Sequence, residues 1–417
     1  MRFSFTSLVG FAAASQALNI LITNDDGAFT SNIRELYKAV KAYGHNAWIV
    51  ASATDMSGQG GRAVFSTEKN LTADSEFGMY CNRLLLETAR LIVLSGFIKA
   101  GAPAFGQDPI DPNIFYYNGT PATMVFLALD YVLPKYANLS TVDLVLSGPN
   151  FGLNLGPFLY TISGTIGATY AAVERGIPAI AYSATYSVQT PYTWTNKSTA
   201  AGLQDPAAIT GRLAANLAQS FIIKAAGKRI LPLGYGVNVN IPYITSFNNN
   251  SCVNPPYILT RMTNGAIVDK AVYNATTGLF RYGDLVADGV NQCINGDCSL
   301  PGETLVVNGG CQSAVSFFTV DYDAPSPKQC GNTTDILTLI PPAVNLWNST
   351  NKVGGLGANS TVTAPSNGTN TTPSSVSTAS ARSSSTGVSS SVPTSGGQTM
   401  KAPIVVVAFV GGLYMFL

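Results

Sequence analysis

The sequence predicts an α/β protein built on a doubly wound, mostly parallel sheet with a C-terminal extension. Two kinds of observation carry this: apolar runs of strand length alternate with helix-periodic segments, and polar, glycine-rich motifs follow the strands. Leu18 to Thr23 is an apolar run of strand length, and Ile33, Leu36, Tyr37 and Val40 follow at the spacing of one helix face. Gly44 then ends the helix. Ala47 to Ala51 is a second short strand, Val142 to Leu146 another, and Ala179 to Ser183 a further one after a helix from about Gly164 to Arg175. Gly119-Thr120-Pro121 opens another helix, with Pro in the favoured first turn. Strands alternating with helices imply parallel pairing through crossover connections.

The flanks of this body read differently. Met1 to Ala17 has an early Arg2, an apolar stretch from Leu8 to Ala14 and small residues at Ser15 and Ala17, the pattern of a signal peptide cleaved before Leu18. From about Leu346 the chain turns to Ser, Thr, Gly, Asn and Pro, which cannot bury enough surface to offset chain entropy. The expected divisions are a signal peptide at 1–17, a folded α/β body at 18–344, an O-glycosylated, disordered stalk at 345–397 and an apolar tail at 398–417. Small residues Ser395, Gly396 and Gly397 ahead of a terminal apolar run match a GPI-attachment signal, with a tail anchor as the alternative. The expected location is the secretory pathway and then the extracellular space or cell surface, and any membrane contact is through that tail.

Composition agrees with secretion. The six cysteines favour disulfides in that compartment, and Asn70, Asn138, Asn196, Asn274, Asn332 and Asn348 each begin a glycosylation triplet. The charged fraction of 11% is well under the usual quarter or so. Lys and Arg number 23 against 22 for Asp and Glu, so no global field recruits duplex nucleic acid or an anionic membrane. Met79 to Ser95 interrupts a loop-like region with an apolar, helix-like stretch carrying Cys81. It is either a genuine insertion or a retained intron, because Gly78-Met79-Tyr80 and Ser95-Gly96 can be encoded by fungal-type splice signals.

In open α/β sheets ligands bind beyond the carboxyl ends of the strands, so the polar residues there are the candidates for chemistry. The first strand ends in Asn24-Asp25-Asp26-Gly27, two adjacent acids that repel unless a cation or proton intervenes. The second leads to Asp55-Met56-Ser57-Gly58-Gln59-Gly60-Gly61-Arg62, a glycine-rich loop with a hydroxyl and a guanidinium. The strand Val142 to Leu146 runs into Ser147-Gly148-Pro149-Asn150-Phe151-Gly152-Leu153-Asn154-Leu155-Gly156. Ser163-Gly164-Thr165-Ile166-Gly167 then starts a helix. Helix N-termini with small residues are natural phosphate cradles, and carboxylate, carboxamide, hydroxyl and water oxygens suit hard cations. Taken together these features point to phosphoryl chemistry.

At these motifs, which occur in the same order, the sequence resembles the SurE family of survival proteins, metal-dependent nucleotidases and acid phosphatases. Val237-Asn238-Val239-Asn240-Ile241-Pro242 and Thr319-Val320-Asp321-Tyr322-Asp323-Ala324 extend the resemblance, which spans about Leu18 to Pro325. It implies a Rossmann-like core and one divalent cation, Mg2+ or Mn2+, held by Asp25, Asp26, Ser57 and Asn150. Asp25 and Asp26 would be catalytic, acting on a metal-activated water. Asn24, Gly119, Thr120, Asn154, Ser163, Gly164 and Thr165 are the residues expected to hold the phosphate or substrate. The implied substrates are small phosphate monoesters such as nucleotides, and the C-terminal extension implies a homodimer or homotetramer. The segment from Thr245 to Gln312 departs from the compact bacterial pattern, and Ser52, Ala53 and Thr54 stand where the family carries Pro and basic residues.

The only histidine, His45, reads as a surface or strand-edge residue just before the second strand. That count excludes histidine phosphatases, Ser-His-Asp hydrolases and multi-histidine zinc sites. Two rivals remain. A secreted glycosidase needs acids on different elements, which adjacent Asp25 and Asp26 do not suggest. An inactive cell-surface glycoprotein using the same fold is the non-enzyme alternative.

Overall fold

The N-terminal apolar run becomes β1 (Asn19–Thr23), in which Ile20, Leu21 and Ile22 are fully buried. The structure is a computed structural model that describes residues 17–75, 97–184, 189–195, 203–244, 252–262, 267–286 and 300–321. The stalk, the tail, the 79–95 stretch, the N-terminal segment before Ala17, and Cys81, Cys293, Cys298 and Cys330 lie outside the described residues. The remaining strands are β2 (Asn46–Ser52), β3 (Phe105–Gln107), β4 (Ile114–Tyr117), β5 (Leu144–Phe151), β6 (Ala179–Ala184), β7 (Tyr235–Ile241), β8 (Tyr257–Thr260), β9 (Ile267–Asn274), β10 (Leu279–Val286) and β11 (Ser313–Thr319). Nine of them form one sheet in the order β3-β4-β2-β1-β5-β6-β7-β11-β8, and β9 and β10 make a separate antiparallel hairpin.

From β4 through β7 every pairing is parallel. The edges are mixed, since β3 runs antiparallel to β4, and β11 runs antiparallel to β7 but parallel to β8. The chain winds outward from β1 to β2 and β4, then returns to place β5 on the other side of β1 and winds the opposite way. The reversal puts a topological switch point between the carboxyl ends of β1 and β5, the crevice where open sheets of this kind bind ligands.

The helices are α1 (Ser31–Ala42), α2 (Pro121–Leu127) with a π-helical continuation over Ala128–Ala137, α3 (Gly156–Ile162), α4 (Gly164–Glu174), α5 (Pro206–Ala225) and α6 (Glu303–Asn308). They cover both faces. Ile20 and Ile22 pack with Ile33, Leu36 and Val40 of α1 and with Leu213, Ala214 and Ala218 of α5. Leu21 points the other way, to Met124 and Val125 of α2 and Ala168 and Ala172 of α4. Burial on both faces is why β1 reads as a continuous apolar run rather than an alternating one.

Two expectations need correction. The strand expected over Val142 to Leu146 begins at Leu144 and continues to Phe151. Its register against β6 shifts between Ser147 and Asn150. Gly148 sits in that irregularity with φ 106, and a Cβ there would lie 2.2 Å from the Tyr182 carbonyl oxygen. The Ser-Gly-Pro-Asn string has turn composition, and pairing of Ser147 with β1 and β6 and of Asn150 with β6 makes it sheet. His45 lies at the strand edge but is buried, with Nε2 2.8 Å from Gln219 Oε1 of α5 and Nδ1 accepting from the Leu18 N–H.

The C-terminal extension is fastened to the sheet by β8, α6 and β11 and by a Cys252–Cys311 disulfide. Contact between α1 and α5 is close enough to be tested by one methyl group. A Cβ on Gly211 would lie 2.6 Å from the Glu35 carbonyl carbon and 2.7 Å from the Leu36 nitrogen. Gly211→Ala gains about 1 kcal/mol of helix propensity. Backbone atoms cannot rotate away, and overpacking of this kind costs about 1–3 kcal/mol. A lower urea midpoint is therefore expected, and a higher one would show that the two helices separate freely.

Candidate active site

Asp25 and Asp26 follow β1 directly at the switch point and are only 2% and 4% exposed. Three distant segments converge on them. From α4, Thr165 Oγ1 donates to Asp25 Oδ1 at 2.5 Å, across 140 residues of sequence. From the end of β5, the Phe151 N–H donates to Asp26 Oδ2 at 2.9 Å, which places its neighbour Asn150 beside the acids. From the loop after β2, the Met56 N–H donates to the Asp25 backbone oxygen at 2.7 Å and carries Ser57 with it.

Small residues make this approach possible. A Cβ on Gly164 would lie 2.9 Å from Asp25 Cβ and 2.8 Å from Pro121 Cγ, so only glycine lets α4 begin against the acid. Ser163 caps that helix by accepting from the Ile166 N–H at 3.4 Å. The N–H groups of the first turn, at Gly164 and Thr165, therefore stand beside Asp25 at the positive end of an eleven-residue helix.

The other candidates are placed as follows. Ser57 is exposed and donates to Asp55 Oδ1 at 2.7 Å. Asn150 donates from Nδ2 to the Gly152 oxygen at 2.9 Å, which leaves Oδ1 as its acceptor face. Asn24 is fully buried, with Nδ2 donating to the Gly27 oxygen at 3.2 Å and to Thr30 Oγ1, while Oδ1 has no partner.

Two side chains expected on the phosphate are committed elsewhere. Thr120 Oγ1 donates to the Arg62 oxygen at 2.5 Å and accepts from the Val64 N–H at 2.9 Å, so it ties down the glycine-rich loop. Gly119 supports the same tie, since its oxygen accepts from Ser52 Oγ and its Cβ position would meet the Tyr117 ring at 2.8 Å. Asn154 donates to Ser183 Oγ at 2.8 Å, and its backbone is held by Asn238 and Asn240. Both threonine and asparagine had the right chemistry at strand ends, but non-local partners use it.

Asp55 escaped the sequence reading as a site residue. Its charge is felt by both Asp25 and Asp26. The signal was its position two residues before Ser57, in a loop read for its glycines and hydroxyl.

Burial pushes the Asp25 carboxyl up to about 6, with the Thr165 hydrogen bond opposing the rise. Asp26 is driven well above the usual carboxylate range, first by burial and then by the charge of Asp25. Among the described residues neither acid is in an ion pair with Lys, Arg or His. No three Asp, Glu, His or Cys side chains among them are grouped to hold a metal by themselves. A cation here would thus use two carboxylates completed by neutral oxygens. The buried, unpartnered Asn24 Oδ1, the Asn150 Oδ1 and the Ser57 hydroxyl are of that kind, and such a set suits Mg2+ or Mn2+.

Fold and site together define a doubly wound α/β protein with an acidic, cation-suited centre at its switch point. A family model described as "Survival protein SurE" matches residues 20–269. The chain is 42% identical over 310 residues to an acid phosphatase of Yarrowia lipolytica, covering 73% of this chain and 80% of that protein. It is 34% identical over 172 residues to a 5'-nucleotidase SurE of Synechocystis sp., covering 40% of this chain and 48% of the relative, about half its length. Among solved structures, the SurE protein from Aquifex aeolicus aligns with a TM-score of 0.44 at 21% identity, over 73% of this chain and 94% of that one. This chain belongs to the SurE family.

Removing either charge should separate stability from activity. Asp25→Asn and Asp26→Asn each abolish one desolvated charge and its repulsion of the other. The metal-free thermal midpoint should hold or rise by calorimetry, while turnover nearly vanishes. Wild-type turnover in either variant at saturating metal would move the centre elsewhere.

Proposed function

We propose that the Asp25 and Asp26 centre hydrolyses phosphate monoesters with one divalent cation, Mg2+ or Mn2+, held by Asp25, Asp26, Ser57 and Asn150. The chain is a phosphoric monoester hydrolase, in keeping with its acid phosphatase and 5'-nucleotidase relatives. The family generally depends on a divalent metal. The observation that carries the assignment of residues is the pair of buried acids, unpaired with any described cation, at the end of β1 beside the start of α4.

When bound, the cation supplies charge neutralisation and a water acidic enough to serve as nucleophile. The chain supplies positioning. Thr165 Oγ1 and the Phe151 N–H each occupy one oxygen of their acid, which fixes the carboxylate planes. The first-turn N–H groups at Gly164 and Thr165 offer donors to phosphoryl oxygens, whose negative charge the helix end favours. Thr120 and Gly119 act one step back, by holding the loop that carries Ser57. Phosphoryl transfer asks for little more than such positioning and electrostatics.

Nucleotides are the proposed substrate class, and the SurE-type fold does not favour the glycosidase or scaffold alternatives. Secretion and attachment at the cell surface remain part of the proposal. They are supported by the apolar N-terminal stretch, the glycosylation triplets and the Cys252–Cys311 disulfide.

Hydrolysis of p-nitrophenyl phosphate should disappear in EDTA and return with Mg2+ or Mn2+. Asn150→Ala and Ser57→Ala should raise the half-saturating metal concentration about ten-fold or more, the worth of a lost contact to a charged group. Full activity in EDTA after exhaustive dialysis would overturn the metal-dependent reading. An unchanged metal requirement in both variants would remove Asn150 and Ser57 from the centre.

A further inference from the structure

Glu303 is a fully buried acid, 0% exposed, that no step of hydrolysis uses. It opens α6 in the C-terminal extension, beyond the residues 20–269 matched by the family model. Burial pushes its pKa up. A buried carboxylate is an expensive way to fill a core, since an apolar side chain of similar volume is often neutral or better.

Both oxygens of this carboxylate are occupied. Oε2 accepts from the Gly156 N–H at 3.0 Å, across 147 residues, Oε1 accepts from Asn238 Nδ2 at 3.0 Å, and the Ser316 side chain also hydrogen-bonds to the carboxylate. Gly156 is the first residue of α3, so an acid 147 residues further along the chain caps that helix. Asn238 also donates to the Asn154 oxygen at 3.1 Å, and Asn240 Nδ2 donates to the same oxygen at 3.1 Å. Asn240 Oδ1 in turn accepts from the Asn154 N–H at 2.8 Å. The short segment 152–156 is therefore held at Asn154 and at Gly156.

That segment joins the two halves of the centre. It leaves β5 immediately after Asn150 and Phe151, then passes through α3 into Ser163, the cap of α4. The start of α6 is itself fixed, because the Glu303 N–H donates to the Arg261 oxygen at 3.1 Å and the Arg261 N–H to the Pro301 oxygen at 2.8 Å. The Cys252–Cys311 disulfide closes the same unit.

We infer that Glu303 is a positioning residue for hydrolysis, fixing the Gly152 to Gly156 segment and with it the spacing between Asn150 and the Ser163-Gly164-Thr165 turn. The inference rests on the reading of this centre as a phosphatase site. The C-terminal extension thereby acts on the active site through one carboxylate.

The test uses the full-length protein with Glu303→Gln and Glu303→Ala. Glu303→Gln keeps the volume and one acceptor, but its amide group must face the N–H donor of Gly156 or of Asn238, so one of these two bonds is lost whichever way the Ser316 hydroxyl turns. It carries the test if Glu303→Ala does not fold. Amide hydrogen exchange in metal-free protein should accelerate over residues 151–165 and stay unchanged in β1 and β2. With p-nitrophenyl phosphate and saturating Mn2+, KM and the inhibition constant for inorganic phosphate should rise about ten-fold, because a small displacement of the Ser163-Gly164-Thr165 turn weakens its contacts to phosphate, with a smaller change in kcat. Two results would overturn the inference: exchange rising evenly across the sheet with KM and kcat unchanged, or no change in either measurement. An inactive wild-type protein would instead sink the phosphatase reading, whereas an active one with unchanged KM in Glu303→Gln sinks this inference alone.

Discussion

Two neighbouring carboxylates held out of water, with no described cation paired to either, are the constraint around which the structure is arranged. Desolvation and mutual repulsion make Asp25 and Asp26 costly in the metal-free fold, and the rise in both pKa values expresses that cost. The surroundings offset it only in part, through the Thr165 hydroxyl and the Phe151 N–H, with lesser help from the Thr165 backbone and the Gln189 side chain. On the proposed reading a divalent cation would relieve this cost, with the neutral oxygens of Asn24, Asn150 and Ser57 suited to complete its shell. Destabilisation at a functional centre is carried by the buried sheet on both sides of it.

Close approach is the second condition. The loop after β2 and the helices α3 and α4 come together without intervening side chains. A Cβ on Gly167 would stand 1.9 Å from the Gly60 oxygen, and one on Gly60 would stand 2.8 Å from the Thr161 oxygen. Glycines at these points are spacers of zero width. They let the Ser57 loop and the start of α4 pack against each other and reach the same acids, while Thr120 holds the far end of the loop.

The mixed edge of the sheet gives the extension a structural role that reaches inward. Once β11 has paired antiparallel with β7, α6 lies where Glu303 meets Asn238 and Gly156. The parallel core provides the switch point, and the antiparallel addition supports one wall of the crevice. A compact core lacking this edge would need another group to cap α3.

Much of this was legible in the sequence, for a local reason. Apolar runs and helical spacing are set by neighbours a few residues apart, so β1, β2, α1 and α4 could be located from Ile20 to Ile22, Ala47 to Ala51, Ile33 to Val40 and Ser163 onward. The order of motifs placed Asp25 and Asp26 at a strand end beside a helix start. Tertiary structure alone decided which atoms meet. Thr120 and Asn154 carry phosphate-binding chemistry in the sequence and are used as ties in the fold, and Asn150 stands at the end of a strand that its own Ser-Gly-Pro-Asn string disguises. His45 is covered by α5, and Cys252 finds Cys311 rather than another partner. Glu303 is silent in the sequence because its partners, Gly156 and Asn238, lie 147 and 65 residues away. Local periodicity is written in adjacent residues, whereas hydrogen-bond partners are chosen only when sheet register and helix packing bring remote segments to within about 3 Å of each other.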